Sequence, residues 1–183
     1  MTNKLDKRIK RLLILENEIN DRCQSLADRI NKDYKGKNPI IVGVLKGCLP
    51  FYNNLFLRLT CEPVMDFMII SSYSGTKQMG IPKIVADLRQ NITDRHVIIV
   101  EDIVDTGRTL SKVIALLKLR NPKSIKIACL VDKYEARKVS LKPEYVCFPM
   151  PNVWLVGYGL DYNESCRNLP YIGELKPSVY KGK

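Results

Sequence analysis

The stretch Glu101-Asp102-Ile103-Val104-Asp105-Thr106-Gly107-Arg108-Thr109 brings carboxylates, hydroxyls, a glycine and a guanidinium together in one short run. Thr106, Gly107 and Thr109 suit an anion cradle. Glycine lets the backbone approach closely, the hydroxyls donate, and the first turn of a helix supplies unpaired N–H groups carrying partial positive charge. The run lacks the G-x-x-x-x-G-K-[ST] pattern, which excludes that type of nucleoside-triphosphate loop. Carboxylates beside an anion site need a separate task, and for Glu101 and Asp102 the clients are an adjacent diol or a divalent metal. The same residues also read as an N-capping cluster on a surface turn. Spacing alone leaves both readings open.

The loop can act only if a strand and a helix hold its two ends. Val97 to Glu101 is an apolar run that predicts a strand, and Thr109 to Leu119 has the pattern of a helix. Further strands are predicted at Ile40–Val44, Val64–Ser71, Ile125–Val131 and Tyr145–Phe148. Residues 16–34 place Ile19, Cys23, Leu26 and Ile30 at steps of three and four, which predicts an amphipathic helix. A second helix is expected from Leu49 to Leu59, with Pro50 in its first turn. Short apolar strands alternating with helices mean a parallel sheet covered on both faces, with ligands beyond the carboxyl ends of the strands. The polar segment Ser72–Gly80 has little apolar surface to hold it down and is expected to be a mobile loop.

The chain has 183 residues, enough for one domain. With 45% hydrophobic and 27% charged residues it is neither disordered nor fibrous. No apolar run is long enough to span a membrane, and the N-terminus lacks the pattern of a secretory signal, so a cytoplasmic protein is expected. The formal charge of +11 attracts anions such as nucleic acid, acidic membranes or phosphorylated small molecules. Lys118, Arg120, Lys123, Lys126, Lys133, Arg137, Lys138 and Lys142 concentrate that excess, and most of them read as a solvated basic face. The cysteines are scattered without a C-x-x-C and read as buried, inert thiols. With them and a single histidine, His96, the composition argues against a zinc site.

Val97 to Leu110 resembles the phosphoribosyl-pyrophosphate (PRPP) motif of the type I phosphoribosyltransferases, in the form of their hypoxanthine-guanine branch. Gly43-Val44-Leu45-Lys46-Gly47 is similar to that family's pyrophosphate loop, and Ser72-Tyr73 to the start of its catalytic lid. Val131-Asp132-Lys133 and Trp154 to Glu164 resemble its purine-binding segments. The resemblance implies an α/β fold of that type, a parallel core sheet flanked by helices. It implies a single domain over residues 1–183, with a core at about 36–150 and a small hood from 1–15 and 151–183. The activity implied is transfer of the phosphoribosyl group from PRPP to a 6-oxopurine, dependent on Mg²⁺.

Residue by residue, Asp105 is implied as the base taking the proton from purine N7. Residues Asp105, Thr106, Gly107, Arg108 and Thr109 would hold the 5′-phosphate. Glu101 and Asp102 would meet the ribose hydroxyls or their metal-bound water. Leu45, Lys46 and Gly47 would bind pyrophosphate, and the family's matching Leu–Lys peptide can be cis. Ser72, Tyr73 and Arg167 would contact the same group, and Asp161 would coordinate Mg²⁺ on it. Trp154, where the family more often has Phe, would stack on the purine, and Leu155 would read its edge through backbone groups. Lys133 would donate to the 6-oxo group, an acceptor where adenine presents a donor, which favours 6-oxopurines.

A homodimer or homotetramer follows from the resemblance, and neither nucleic acid nor membrane is expected as a partner. The charge keeps one alternative of another class in play: a PRPP-sensing or RNA-binding regulator on the same fold.

Overall fold

The structure, a computed structural model, describes residues 5–71 and 83–180. Its elements in chain order are β1 (Ile9–Ile14), α1 (Glu16–Asp33), β2 (Ile40–Leu45), α2 (Leu49–Phe56), β3 (Val64–Ser71) and β4 (Lys83–Ala86). There follow β5 (His96–Val104), α3 (Arg108–Lys118), β6 (Ser124–Asp132), β7 (Tyr145–Pro149), β8 (Leu155–Val156), β9 (Ile172–Leu175) and α4 (Pro177–Tyr180). The expected loop at Ser72–Gly80, with Ser72 and Tyr73, lies outside the described residues.

Six strands form the central sheet in the order β4-β3-β2-β5-β6-β7. All neighbouring pairs are parallel except β3 with β4. Alternation along β2 and β5 sends residues to two cores, because successive side chains on a strand point to opposite faces. Ile41 and Ile98 join Ile19, Cys23, Leu26 and Ile30 of α1 and Phe51 and Leu55 of α2. Ile40, Val42, Val97 and Ile99 join Leu110, Val113 and Leu117 of α3 on the opposite face. Each such side chain contributes about 1.5–3 kcal/mol on leaving water, so both faces anchor the sheet firmly. That rigidity matters because the functional loops hang from the strand ends.

Three expectations need correcting. The sheet is mixed, because the short strand β4 adds an antiparallel edge that Lys83–Ala86 does not announce by composition. The third predicted strand does not end at Glu101; β5 continues to Val104 because β6 runs on beside it, pairing Ile103 with Val131 and Val104 with Asp132. Glu101 and Asp102 are therefore strand residues and not a cap on a surface turn. The second helix stops at Phe56, three residues short of the expected end.

A second sheet, β1-β9-β8, brings the N-terminal and C-terminal segments together. One of its faces adds Ile14, Leu155 and Ile172 to the core beneath α1 and α2. The other gathers Ile9, Val156 and Leu175 around Cys166 and Tyr171. His96 opens β5 at the far end of the sheet from the loop, with Nδ1 2.7 Å from Ser124 Oγ and the ring edge-on to Tyr34, which is a structural role. Among the described residues the six cysteines are free and buried, and no helix is long and apolar enough to cross a membrane.

Candidate functional site

β5 delivers Glu101 and Asp102 side by side, both half-buried at the carboxyl end of the sheet. Loss of water and the neighbouring Asp102 carboxyl push the Glu101 pKa well up. Asp102 is also pushed up by burial, while its bond from the Ile103 N–H (2.9 Å) and the charge of Arg167 act against the shift. The unfolded chain ionises Glu101 near its ordinary 4.5, whereas the folded chain holds the proton to higher pH. Stability is therefore full below that ordinary value and falls as pH rises toward the folded one. Glu101→Gln has no such proton to lose. In metal-free buffer at pH 8 it should melt above the wild type, by about 2–4 °C for each kcal/mol recovered, and the gap should close near pH 4.5. Melting curves that coincide at both pH values would contradict this account of the pair.

Beyond Val104 the chain leaves the sheet and turns into α3. Gly107 takes a left-handed φ of +76° immediately before the helix. A Cβ there would stand 2.9 Å from Arg137 Cδ and from Val139 Cγ2, so the loop closes only around glycine. Asp105, Thr106, Gly107 and Thr109 line a small cavity of about 140 Å³. Arg108 begins the helix.

A larger cavity of about 470 Å³ opens beside it, and Asp105 lines both. Lys133, at the end of β6, is 7% exposed and holds its ammonium 3.8 Å from the Asp105 carboxylate. Burial pushes the Lys133 pKa down, and Asp105 pulls it partly back. Trp154 and Leu155 form the wall of the same cavity. Trp154 is half-exposed; its ring stacks on Tyr180 at 5.0 Å and meets Tyr162 edge-on at 5.5 Å. Trp154 O accepts from Leu175 N at 2.8 Å, and Leu155 faces Glu174 across the pair. In antiparallel register the next residue turns its polar groups the other way, so the N–H and C=O of Leu155 point off the open edge of β8.

The third group sits where β2 meets the second sheet's loops. The Leu45–Lys46 peptide is cis. Gly47 leaves no room for a side chain: a Cβ would lie 1.9 Å from Asp102 Oδ2 and 3.3 Å from Arg167 Nη1. Arg167 bonds Asp161 at 2.9 Å and donates to Gly159 O at 2.7 Å, while its buried Nε has no partner. Lys46 instead turns outward to Glu164 at 3.0 Å. The structure thus gathers Gly47, Asp102, Asp161 and Arg167, and ties the exposed Lys46 side chain to Arg167 through the shared Glu164 carboxylate, which Arg167 meets at 3.3 Å.

Of the basic residues from 118 to 142, Lys118, Lys123, Lys138 and Lys142 are exposed as expected, and the other four are held by partners. Arg120 pairs with Asp87 and Lys126 with Glu144. Lys133 and Arg137 turn inward, and Arg137 pairs with Asp132. Sequence reading also missed Ile103, Asn152, Glu174 and Tyr180 as cavity walls. Glu174 is 6% exposed and ionised by its pairing with Lys10 and Arg11, which holds its pKa below the ordinary value. No local signal marks it, because its partners lie far away in sequence.

Residues 14–163 match the phosphoribosyl transferase domain family. The chain is 48% identical over 177 residues to the hypoxanthine-guanine phosphoribosyltransferase of Streptococcus pneumoniae, spanning 96% of this chain and 98% of that one. A hypoxanthine phosphoribosyltransferase from Staphylococcus aureus has a similar solved structure, with TM-score 0.93 and 41% identity over 98% of this chain and 99% of that one. The hypoxanthine phosphoribosyl transferase of Trypanosoma cruzi is similar at TM-score 0.91 and 38% identity, over 98% and 97% of the two chains.

Proposed function

The chain belongs to the phosphoribosyl transferase family, and on that premise we propose that it moves the 5-phosphoribosyl group of PRPP to N9 of hypoxanthine or guanine, releasing pyrophosphate. This is the reaction of purine salvage. The observation that carries the reading is one cavity walled by Asp105, Lys133, Trp154 and Asp161, adjoining the small cavity of the 105–109 loop through Asp105. A phosphate in the small cavity and a purine in the large one would place the ribose over Glu101 and Asp102, between them.

Each residue then has a task set by its chemistry. The 105–109 loop binds the 5′-phosphate through amides and the Thr106 and Thr109 hydroxyls. Asp105 accepts the N7 proton as the new bond forms. Lys133 donates to the 6-oxo oxygen, Trp154 stacks on the ring, and the outward N–H and C=O of Leu155 read the pyrimidine edge. Gly47 and Arg167 receive the leaving pyrophosphate. The peptide of Leu45 and Lys46, next to Gly47, is assigned to the same group.

Among the described residues no cluster of His, Cys, Asp and Glu forms an all-protein metal cage. The oxygens of Asp161, Glu101 and Asp102 suit Mg²⁺, which takes one or two carboxylates and completes its shell with substrate oxygens and water. Bound there, Mg²⁺ would offset the charge that builds on the leaving pyrophosphate.

The described parts of the two terminal segments, residues 5–15 and 151–180, would make the hood over the purine through β1, β8 and β9, above a core that also includes α1. A cytoplasmic setting suits six free thiols. The assembly is a homodimer or homotetramer, which sedimentation would distinguish. The similar proteins are enzymes by name, and the RNA-binding and PRPP-sensing readings are not supported.

Trp154 is the single tryptophan, so the protein's own fluorescence reports on the proposed stacking face. Titration with IMP or GMP should quench its emission, with AMP far weaker. Equal quenching by AMP would contradict 6-oxo selection. No quenching by any nucleotide would remove Trp154 from the purine.

A further inference from the structure

The loop that follows β5 is held from behind. Val104 O accepts from Lys133 N at 3.0 Å and from Arg137 Nη2 at 3.2 Å. Asp105 O accepts from Arg137 Nε at 2.9 Å, and Thr106 O from Lys138 N at 3.0 Å. Three consecutive carbonyls therefore face the segment after β6. In a trans peptide the C=O and the following N–H point in opposite directions. The N–H groups of Asp105, Thr106 and Gly107 are thereby turned the other way, toward the cavity lined by those residues and Thr109.

Arg137 holds two of these three carbonyls. Its other donors go to Leu141 O and to the Asp132 carboxylate. Its side chain is 12% exposed and its Cδ abuts Gly107. A guanidinium offers several donors in one rigid plane, which an ammonium cannot reproduce. Asp132 neutralises its charge, so the effect on a bound anion comes through the peptide planes and not through Coulomb attraction.

We propose that Arg137 is the positioning residue of the 5′-phosphate loop: it fixes the peptide planes that aim successive amides at the anion. The inference rests on the phosphoribosyl reading of that loop. It touches no substrate atom and acts through Val104 and Asp105.

The test is calorimetric titration with ribose 5-phosphate, which carries the phosphate without purine or pyrophosphate. Arg137→Lys and Arg137→Gln are compared with the wild type, with thermal melting to measure the folded fraction. Both variants should bind about tenfold more weakly or worse, the loss of a hydrogen bond to a charged donor. KM for PRPP should rise in parallel while KM for the purine stays within about twofold. A merely structural role would lower the melting temperature and leave the affinity of the folded fraction unchanged. Arg137→Lys binding as the wild type does would overturn the proposal. If neither variant folds, Asp132→Asn keeps the guanidinium but weakens one of its holds: weaker ribose 5-phosphate binding supports the proposal, and unchanged binding overturns it. A wild type that binds ribose 5-phosphate but turns over no purine removes the reaction and leaves this inference standing. A wild type that does not bind it removes the inference as well.

Discussion

Asp105→Asn should lower turnover by ~10²–10⁴-fold, the usual worth of a general base, while KM for PRPP stays close to wild type. The side chain and the backbone of this residue serve different ends. The carbonyl is tied to Arg137 and the amide lies in the phosphate loop, and neither depends on the carboxylate. The carboxylate is 48% exposed, reaches the larger cavity and has the Lys133 ammonium 3.8 Å away. Asparagine has the same shape and keeps the loop, but it cannot accept a proton. Steady-state rates with both substrates varied separate the two effects. Turnover retained within about threefold would take Asp105 out of the base's role.

Lys133→Met should lower kcat/KM for hypoxanthine and guanine by about 10²-fold and relax discrimination against adenine. Methionine fills much of the same volume without the charge. The purine 6-oxo oxygen, enclosed in the cavity, would then lack a charged donor, and that costs about 1–3 kcal/mol or more. Burial already opposes ionisation of Lys133, with Asp105 as the compensating charge. Removing this ammonium should therefore leave thermal stability equal or slightly higher, since its desolvation cost goes with it while Asp105, 48% exposed, is left to water and not as a buried unpaired charge. Loss of activity with an unmoved melting temperature is the signature of a substrate contact. An unchanged ratio of hypoxanthine to adenine efficiency would contradict it.

The 105–109 loop was the most legible part of the candidate site, because its residues are contiguous. Thr106, Gly107 and Thr109 are close in sequence, and the strand and helix around them announce themselves by apolar pattern. Lys133 was singled out by resemblance to a purine-binding segment, although by charge alone it looked like one more lysine in a basic run. Arg137, four residues on, carried no such mark. Its partners Val104, Asp105 and Asp132 come from two strand ends, and only the parallel pairing of β5 with β6 brings them to it. The end of β5 was misplaced for a related reason. Acidic residues read as a turn, but Val131 and Asp132 on the neighbouring strand extend the ladder past Glu101. The second sheet escaped notice because β8 and β9 are only two and four residues long, and β1 finds its partner β9 at the opposite end of the chain. Glu174 shares that origin: what makes it a buried carboxylate is Lys10 and Arg11, brought across by β1.

The most direct test of the central claim is initial-rate nucleotide formation from PRPP and Mg²⁺, with hypoxanthine, guanine, xanthine and adenine assayed in parallel. The account predicts turnover of hypoxanthine or guanine and none of adenine. Absence of turnover with every 6-oxopurine, from protein that still binds PRPP, or turnover of adenine at a comparable rate, would contradict it.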